Sequence, residues 1–233
     1  MRLNRFYLEN FSGEKIIELK KGPIFHQIKN VLRMKTGNFL SFFYNNKEAI
    51  YKIESITNKD IFLVWQEDVI IKNKINREII LFQSLIKKDK MEWVVQKAVE
   101  LGVTKIVPII SERSEKKNIN LDRLNKISLE ASEQCGRQDL IKISEPIKFK
   151  DILKKLKGLS FLGDSSGNNF IKSFKEKKNI EDNINIFIGP EGGWSSEELI
   201  LAKDNRIEIV KLNNYILRSE TASLAFLSLL SNL

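Results

Sequence analysis

The sequence predicts an α/β protein in two parts, a small β-barrel over residues 1–72 and a parallel sheet with crossover helices over residues 73–233. Three observations carry this. Short strand-like segments split by turn-prone Asn, Gly and Lys fill the N-terminal third. Beyond a Lys- and Asn-rich joint, Lys72–Asn76, apolar strands alternate with helical segments, the pattern of a parallel sheet. Finally, two C-terminal segments, Ile188–Gly193 and Ile216–Ala222, each stand between a strand and a helix.

The strands expected in the barrel are Glu14–Leu19, Gly37–Tyr44, Glu48–Ile56 and Asp60–Gln66. Between the first two lies a helix-like stretch, Phe25–Arg33, in which His26 reads as a packed or capping residue rather than a catalytic one. In the second part the strands are the apolar runs Glu78–Ile86, Val103–Ile110, Leu159–Gly163, Asn185–Ile188 and Ile207–Leu212. The helices between them are Lys90–Leu101, Leu121–Cys135, Phe149–Leu156, Asn168–Lys178 and Ser195–Asp204. Ser195 followed three residues later by Glu198 fits a capping box, so the last of these begins at once after its loop. Small and apolar residues occupy most of Glu220–Leu230, which predicts a helix buried on nearly every side, against the monomer core or against a second copy. Lys172–Asn183 is polar enough to be a mobile loop over its middle.

With 233 residues and 42% hydrophobic content, the chain can bury a substantial core. One cysteine, Cys135, excludes an internal disulfide framework, and one histidine, His26, excludes a His-rich cluster, so no metal is expected. Met1–Phe6 carries charge with no apolar run after it, and no stretch approaches the roughly 18 apolar residues of a spanning helix. A soluble, cytoplasmic protein without a membrane partner is the expectation. The formal charge of +9 permits a polyanionic partner, although the abundance of Lys, Ile and Asn is as much a mark of biased codon usage.

Chemistry concentrates in the two C-terminal segments. In the first, the strand ends in Gly189-Pro190-Glu191-Gly192-Gly193, whose glycines let backbone groups approach a ligand while Pro190 restricts the loop. Such a loop lies where ligands meet a parallel sheet, at the carboxyl ends of its strands. It matches neither GxxxxGK[ST] nor GxGxxG, and taken alone it serves a structural turn as readily as a ligand. The second segment places Arg218, Ser219, Glu220 and Thr221 at a helix start, where Glu220 meets the positive end of the dipole and the hydroxyls can cap amides. Arg218 is harder to explain structurally, because it interrupts an apolar junction.

Together these segments resemble the RsmE family of 16S rRNA uridine N3-methyltransferases, of the SPOUT superfamily: Gly189–Gly193 matches its GPEGG loop and Ile216–Ala222 its ILRxETA segment. The likeness spans the chain, with further matches at His26–Arg33, Gln96–Val103, Pro108, Ser111–Ser114 and Glu130–Arg137. It implies a PUA-like β-barrel that binds RNA, then a SPOUT-type parallel sheet whose C-terminal segment threads a deep trefoil knot and forms a homodimer. It further implies S-adenosyl-L-methionine as cofactor, held by Ile188, Gly189, Pro190, Glu191, Gly192 and Gly193, by Leu212, Ile216, Leu217, Ser219, Thr221 and Ala222, and by a third wall at Leu162, Gly163 and Asp164. The implied substrate is one uridine of 16S rRNA near the decoding centre, in the assembled small ribosomal subunit. Two departures precede Arg218: the family usually has Gly at 213 and a basic residue at 215, where this chain has Asn213 and Tyr215. Asn accepts a positive φ best after Gly, so the turn is expected to survive.

Uracil N3 must lose a proton as it is methylated, which calls for a carboxylate base or a cation opposite the developing charge on O2 and O4. Arg218 is the expected orienter or charge stabiliser, with Glu220 or Glu191 as base and a loop-bracing role open to either. Candidate RNA contacts are Arg2, Arg5, Lys29 and Arg33 in the first part and Arg113 and Arg137 in the second, a solvated terminus being an equal reading for Arg2 and Arg5. Rival readings are a related knotted enzyme acting on tRNA or a ribose 2′-OH, and a non-catalytic assembly factor.

Overall fold

The computed structural model describes residues 3–70, 77–115, 118–177 and 183–231; Arg2, the joint Lys72–Asn76 and residues 178–182 of the polar loop lie outside them. The chain divides into two compact units. One is Met1–Lys74 with Ser132–Leu140, the other Ile75–Ala131 with Ile141–Leu233.

The first unit holds β1 (Asn4–Tyr7), β2 (Ile16–Lys20), a short helix α1 (Pro23–His26), β3 (Phe39–Tyr44), β4 (Lys47–Ile56) and β5 (Asp60–Asp68). The sheet order is β1-β3-β4-β5-β2, antiparallel except for the β1–β3 pair. Alternation sends Ile17 and Leu19 of β2 inward beside Phe6, Phe42, Tyr51, Ile53, Ile61 and Leu63. Register shifts at Ile50/Tyr51 and Ile53/Ser55 mark irregularities between β4 and β5, the kind of bulge that bends and twists a strand. Asn45 and Asn46, at φ 46° and 62°, make the two-residue turn from β3 to β4, a left-handed pair that Asn tolerates. After α1 the chain widens into a π-helical turn, Gln27–Val31, burying Ile28 and leaving His26 exposed rather than packed.

Strand β1 is absent from the sequence reading because its charges disguise its alternation: Phe6 alone points into the core. Arg5 corrects a second expectation. Its guanidinium binds both oxygens of Glu48, at 2.8 and 2.9 Å, and donates to the carbonyls of Ser132, Glu133 and Arg137 at 2.8, 3.1 and 2.8 Å. It also lies 4.6 Å from the centre of the Phe43 ring. With its side chain 10% exposed and its donors engaged, Arg5 braces the unit and is not available to a phosphate. Arg137 is similarly engaged, its guanidinium forked onto Asp139 at 2.8 and 2.9 Å with 8% of the side chain exposed.

The second unit runs β6 (Ile79–Ser84), α2 (Lys88–Glu100), β7 (Lys105–Ile110), α3 (Leu121–Cys135, of which 132–135 belong to the first unit), β8 (Lys142–Ile143), β9 (Ile147–Lys148) and α4 (Phe149–Ile152). It continues with β10 (Leu159–Asn169), α5 (Phe170–Lys175), β11 (Ile184–Ile188), α6 (Ser196–Asp204), β12 (Glu208–Lys211) and α7 (Ser219–Leu230). All pairings are parallel in the order β12-β10-β11-β6-β7-β8, with β9 also on β7. Period-two alternation divides the core. Ile184, Ile186 and Ile188 join Leu81 and Ile106 under α2, α3, α5 and α7, while Phe187, Phe82 and Val107 face α4 and α6. In α7 only Thr221 and Ser228 are exposed, which agrees with the near-complete burial expected. No helix among the described residues is long and apolar enough to cross a membrane.

Candidate cofactor and substrate cleft

A cleft of about 300 Å³ opens at the carboxyl ends of β11 and β12, beside the middle of β10, within the ~300–1,000 Å³ range of small-molecule sites. Its walls are residues 163–165, residues 188–191 with 193 and 194, residues 210–217, and Ser219 and Ala222 at the start of α7. The cleft therefore gathers the three segments expected from the sequence, although the first, 163–165, is strand and not the loop expected. Of the named cofactor residues it is lined by Gly163, Ile188, Gly189, Pro190, Glu191, Gly193, Leu212, Ile216, Leu217, Ser219 and Ala222. Leu162 is fully buried in the core, Gly192 is exposed beside Arg113, and Thr221 points to solvent; these three do not line it.

Two glycines are required by the geometry. A Cβ on Gly189 would sit 3.0 Å from Nε1 and 3.1 Å from Cε2 of Trp194, and Gly193 has φ 69°. The Trp194 indole donates to the Gly163 carbonyl at 3.1 Å, tying the loop after β11 to β10. Arg113, expected at RNA, donates to the Gly192 carbonyl at 3.0 Å and so braces the same loop. The capping box forms as expected: Ser195 Oγ accepts from the Glu198 amide at 3.2 Å and the Glu198 carboxylate from the Ser195 amide at 3.0 Å. The second Glu198 oxygen accepts from the Glu112 amide at 2.9 Å.

A buried polar network joins loop and helix. The Ser219 hydroxyl donates to the Gly189 carbonyl at 2.6 Å and accepts from the Gln83 amide at 3.0 Å, and Ser223 donates to Gln83 Oε1 at 2.5 Å. Gln83 and Ser223 are fully buried, so α7 is pinned to β6 and to the glycine loop at its first turn. Sequence reasoning missed Gln83, Ser223 and Trp194. The indole directly after the glycine loop was a usable signal for Trp194; nothing local marked the other two.

The three charged candidates fall apart in role. Glu220 does not line the cleft; it is 7% exposed and 3.1 Å from Lys90 of α2. Glu191 lines the cleft, is exposed, and accepts weakly from the Lys87 amide at 3.4 Å. Arg218 stands at the N-cap of α7 in extended backbone, exposed and with no side-chain partner among the described residues. Asn213 does not take the positive φ expected of it; its side chain accepts from the Asn214 amide at 2.7 Å. In the first unit Lys29 donates to Thr57 and Asn58, while Arg33, at φ 51°, is exposed. Among the described residues no group of three His, Cys, Asp or Glu could hold a metal.

A glycine-walled cleft at a parallel sheet's carboxyl edge, closed by a helix pinned from behind, is the site of a ligand-binding α/β domain, and the family described as RNA methyltransferase domain matches residues 73–231. Two proteins called ribosomal RNA small subunit methyltransferase E are similar over nearly their whole length. That of Rickettsia conorii is 30% identical over 96% of this chain and 93% of its own, and that of Aquifex aeolicus 29% over 97% and 98%. The crystal structure of the same enzyme from Neisseria gonorrhoeae, bound to S-adenosyl methionine, superposes with a TM-score of 0.88 at 28% identity, covering 99% of this chain and 98% of that one. The chain belongs to the ribosomal RNA small subunit methyltransferase E family.

Proposed function

We propose that this protein transfers a methyl group from S-adenosyl-L-methionine to N3 of one uridine of 16S rRNA in the assembled small ribosomal subunit, acting as a cytoplasmic homodimer. The cleft carries this reading: part of β10 and the loops after β11 and β12 line it together, and Gly189 leaves room for the Trp194 indole, which a Cβ would approach to 3.0 Å. Backbone of 188–191 and 193 and of Leu212, Ile216 and Leu217, with Ser219 and Ala222, would hold the cofactor, which supplies an activated methyl on a sulfonium. Arg218 does not itself line the cleft but stands exposed between Leu217 and Ser219, which do; from there it orients the uracil and offsets charge developing on O2 and O4. Glu191 is the better placed carboxylate to accept the N3 proton, because Glu220 is held by Lys90 behind the helix start.

The segment after β12 is proposed to thread a trefoil knot. In support, β12 lies at the sheet edge, yet α7 returns to pack on α2 and β11 in its middle. The first unit, with its irregularly registered five-stranded sheet, is proposed to be a PUA-like barrel that grips rRNA through Lys29 and Arg33, the domain boundary falling near residues 72–73. Labelled cofactor mixed with small subunits lacking the mark should place one methyl on N3 of one uridine. No incorporation into any RNA, together with no cofactor binding, overturns the proposal.

A further inference from the structure

The mouth of the cleft carries two side chains that the folded chain does not use. Tyr215 is 81% exposed and Ile216 is 90% exposed, and both line the cleft. The next most exposed aromatic among the described residues, Phe39, is 45% exposed. Tyr215 has no hydrogen bond and no ring contact among the described residues, so its exposure is not the by-product of an internal bond. Tyrosine normally hides most of its ring, and an aromatic beside an aliphatic left in water costs free energy unless a ligand covers them. Cations bracket the pair along the chain: Lys211 lines the same cleft and Arg218 is exposed without a partner.

We propose that Tyr215 is the platform on which a nucleobase stacks as it enters the cleft, with Ile216 covering the base's edge. The inference rests on the cleft being the methyl-transfer site of an RNA enzyme, and adds how the substrate is held. A base whose pairing edge reacts must leave its own stack, and an aromatic face at the cleft mouth replaces that lost stacking whatever the base's identity. Flanking Lys and Arg then meet the phosphates on either side, the composition of single-strand binding surfaces.

The test compares Tyr215→Ala and Tyr215→Phe with the unaltered protein in four measurements: melting temperature, cofactor Kd by calorimetry, anisotropy of a short labelled uridine-rich RNA, and KM for small subunits. The Ala variant should weaken RNA binding and raise KM for subunits by roughly ten- to a hundred-fold, the range of one lost base stack. Cofactor Kd and melting temperature should not move, and Phe should restore RNA binding. Unchanged RNA affinity in the Ala variant overturns the proposal, as does a matching loss of cofactor affinity. Loss of self-association on sedimentation would assign the pair to a second copy instead and equally overturn it. RNA binding that depends on Tyr215 in a protein that transfers no methyl group would leave the platform standing and reject the enzyme.

Discussion

On the proposed function Arg218 and Gly189 act in opposite ways, one by what its side chain reaches and the other by having none. Arg218→Ala should abolish transfer, by at least about a hundred-fold in single-turnover rate, while thermal melting stays within about 0.5 kcal/mol, as for other exposed positions. Full activity would remove Arg218 from the mechanism. Gly189→Ala puts a Cβ 3.0 Å from the Trp194 indole nitrogen, which must shift and strain its bond to Gly163. Cofactor Kd measured by calorimetry should then rise about tenfold, equivalent to one weakened hydrogen bond. Both candidates stand out locally in the sequence, as a cation at an apolar junction and a glycine in a loop after a strand. Glu220 was half legible. Its place in a first helical turn was evident, but Lys90 belongs to a distant segment, and that pair is what separates Glu220 from the cleft.

Among the elements, α6 shows how far local chemistry extends. Its capping box was visible as Ser195 and Glu198, and Ser195→Ala should cost about 1 kcal/mol in urea unfolding. Glu198→Ala should cost more, because it also strands the Glu112 amide, a partner that no spacing rule reveals. Strand β10 was expected to stop at Gly163 but continues to Asn169, past a register shift against β12 between Gly163 and Asn168. Gly167 permits this: a Cβ there would lie 2.4 Å from the Val210 nitrogen. Irregularity of that kind breaks the period-two pattern on which strands are recognised. Gln83 escaped for another reason, since it stands inside the expected strand Glu78–Ile86 and its partners, Ser219 and Ser223, lie far along the chain.

At the scale of the whole molecule, a change of hydrophobic periodicity near residue 72 was visible in the sequence. That residues 132–140 belong with the first unit was not, because the tie is a set of bonds to Arg5 and Glu48 from far along the chain. Burial pushes the Glu48 carboxyl up, but hydrogen bonds from Arg5, Ser41 and Gln138 and the charge of Arg5 outweigh it and hold it below the ordinary 4.5. A carboxylate depressed in the folded state contributes stability that is present above its unfolded value and lost as pH falls through the folded one. Protection factors of the β4 amides, taken against intrinsic exchange at each pH, should therefore fall in acid relative to neutral pH, and Glu48→Gln should flatten that dependence. A fragment of residues 1–70 should unfold at lower urea than the same unit within the full chain, since Arg5 loses three carbonyl acceptors.

Gly163, Gly189 and Gly193 stand among the residues that line the cleft, and this bears on how such a site is inherited. Recognition written in amides and carbonyls survives exchange of the side chains around it, so lineages can drift widely in sequence while keeping the same pocket. What heredity relaxes least is bulk: a single methyl group at Gly189 would press on the Trp194 indole from 3.0 Å.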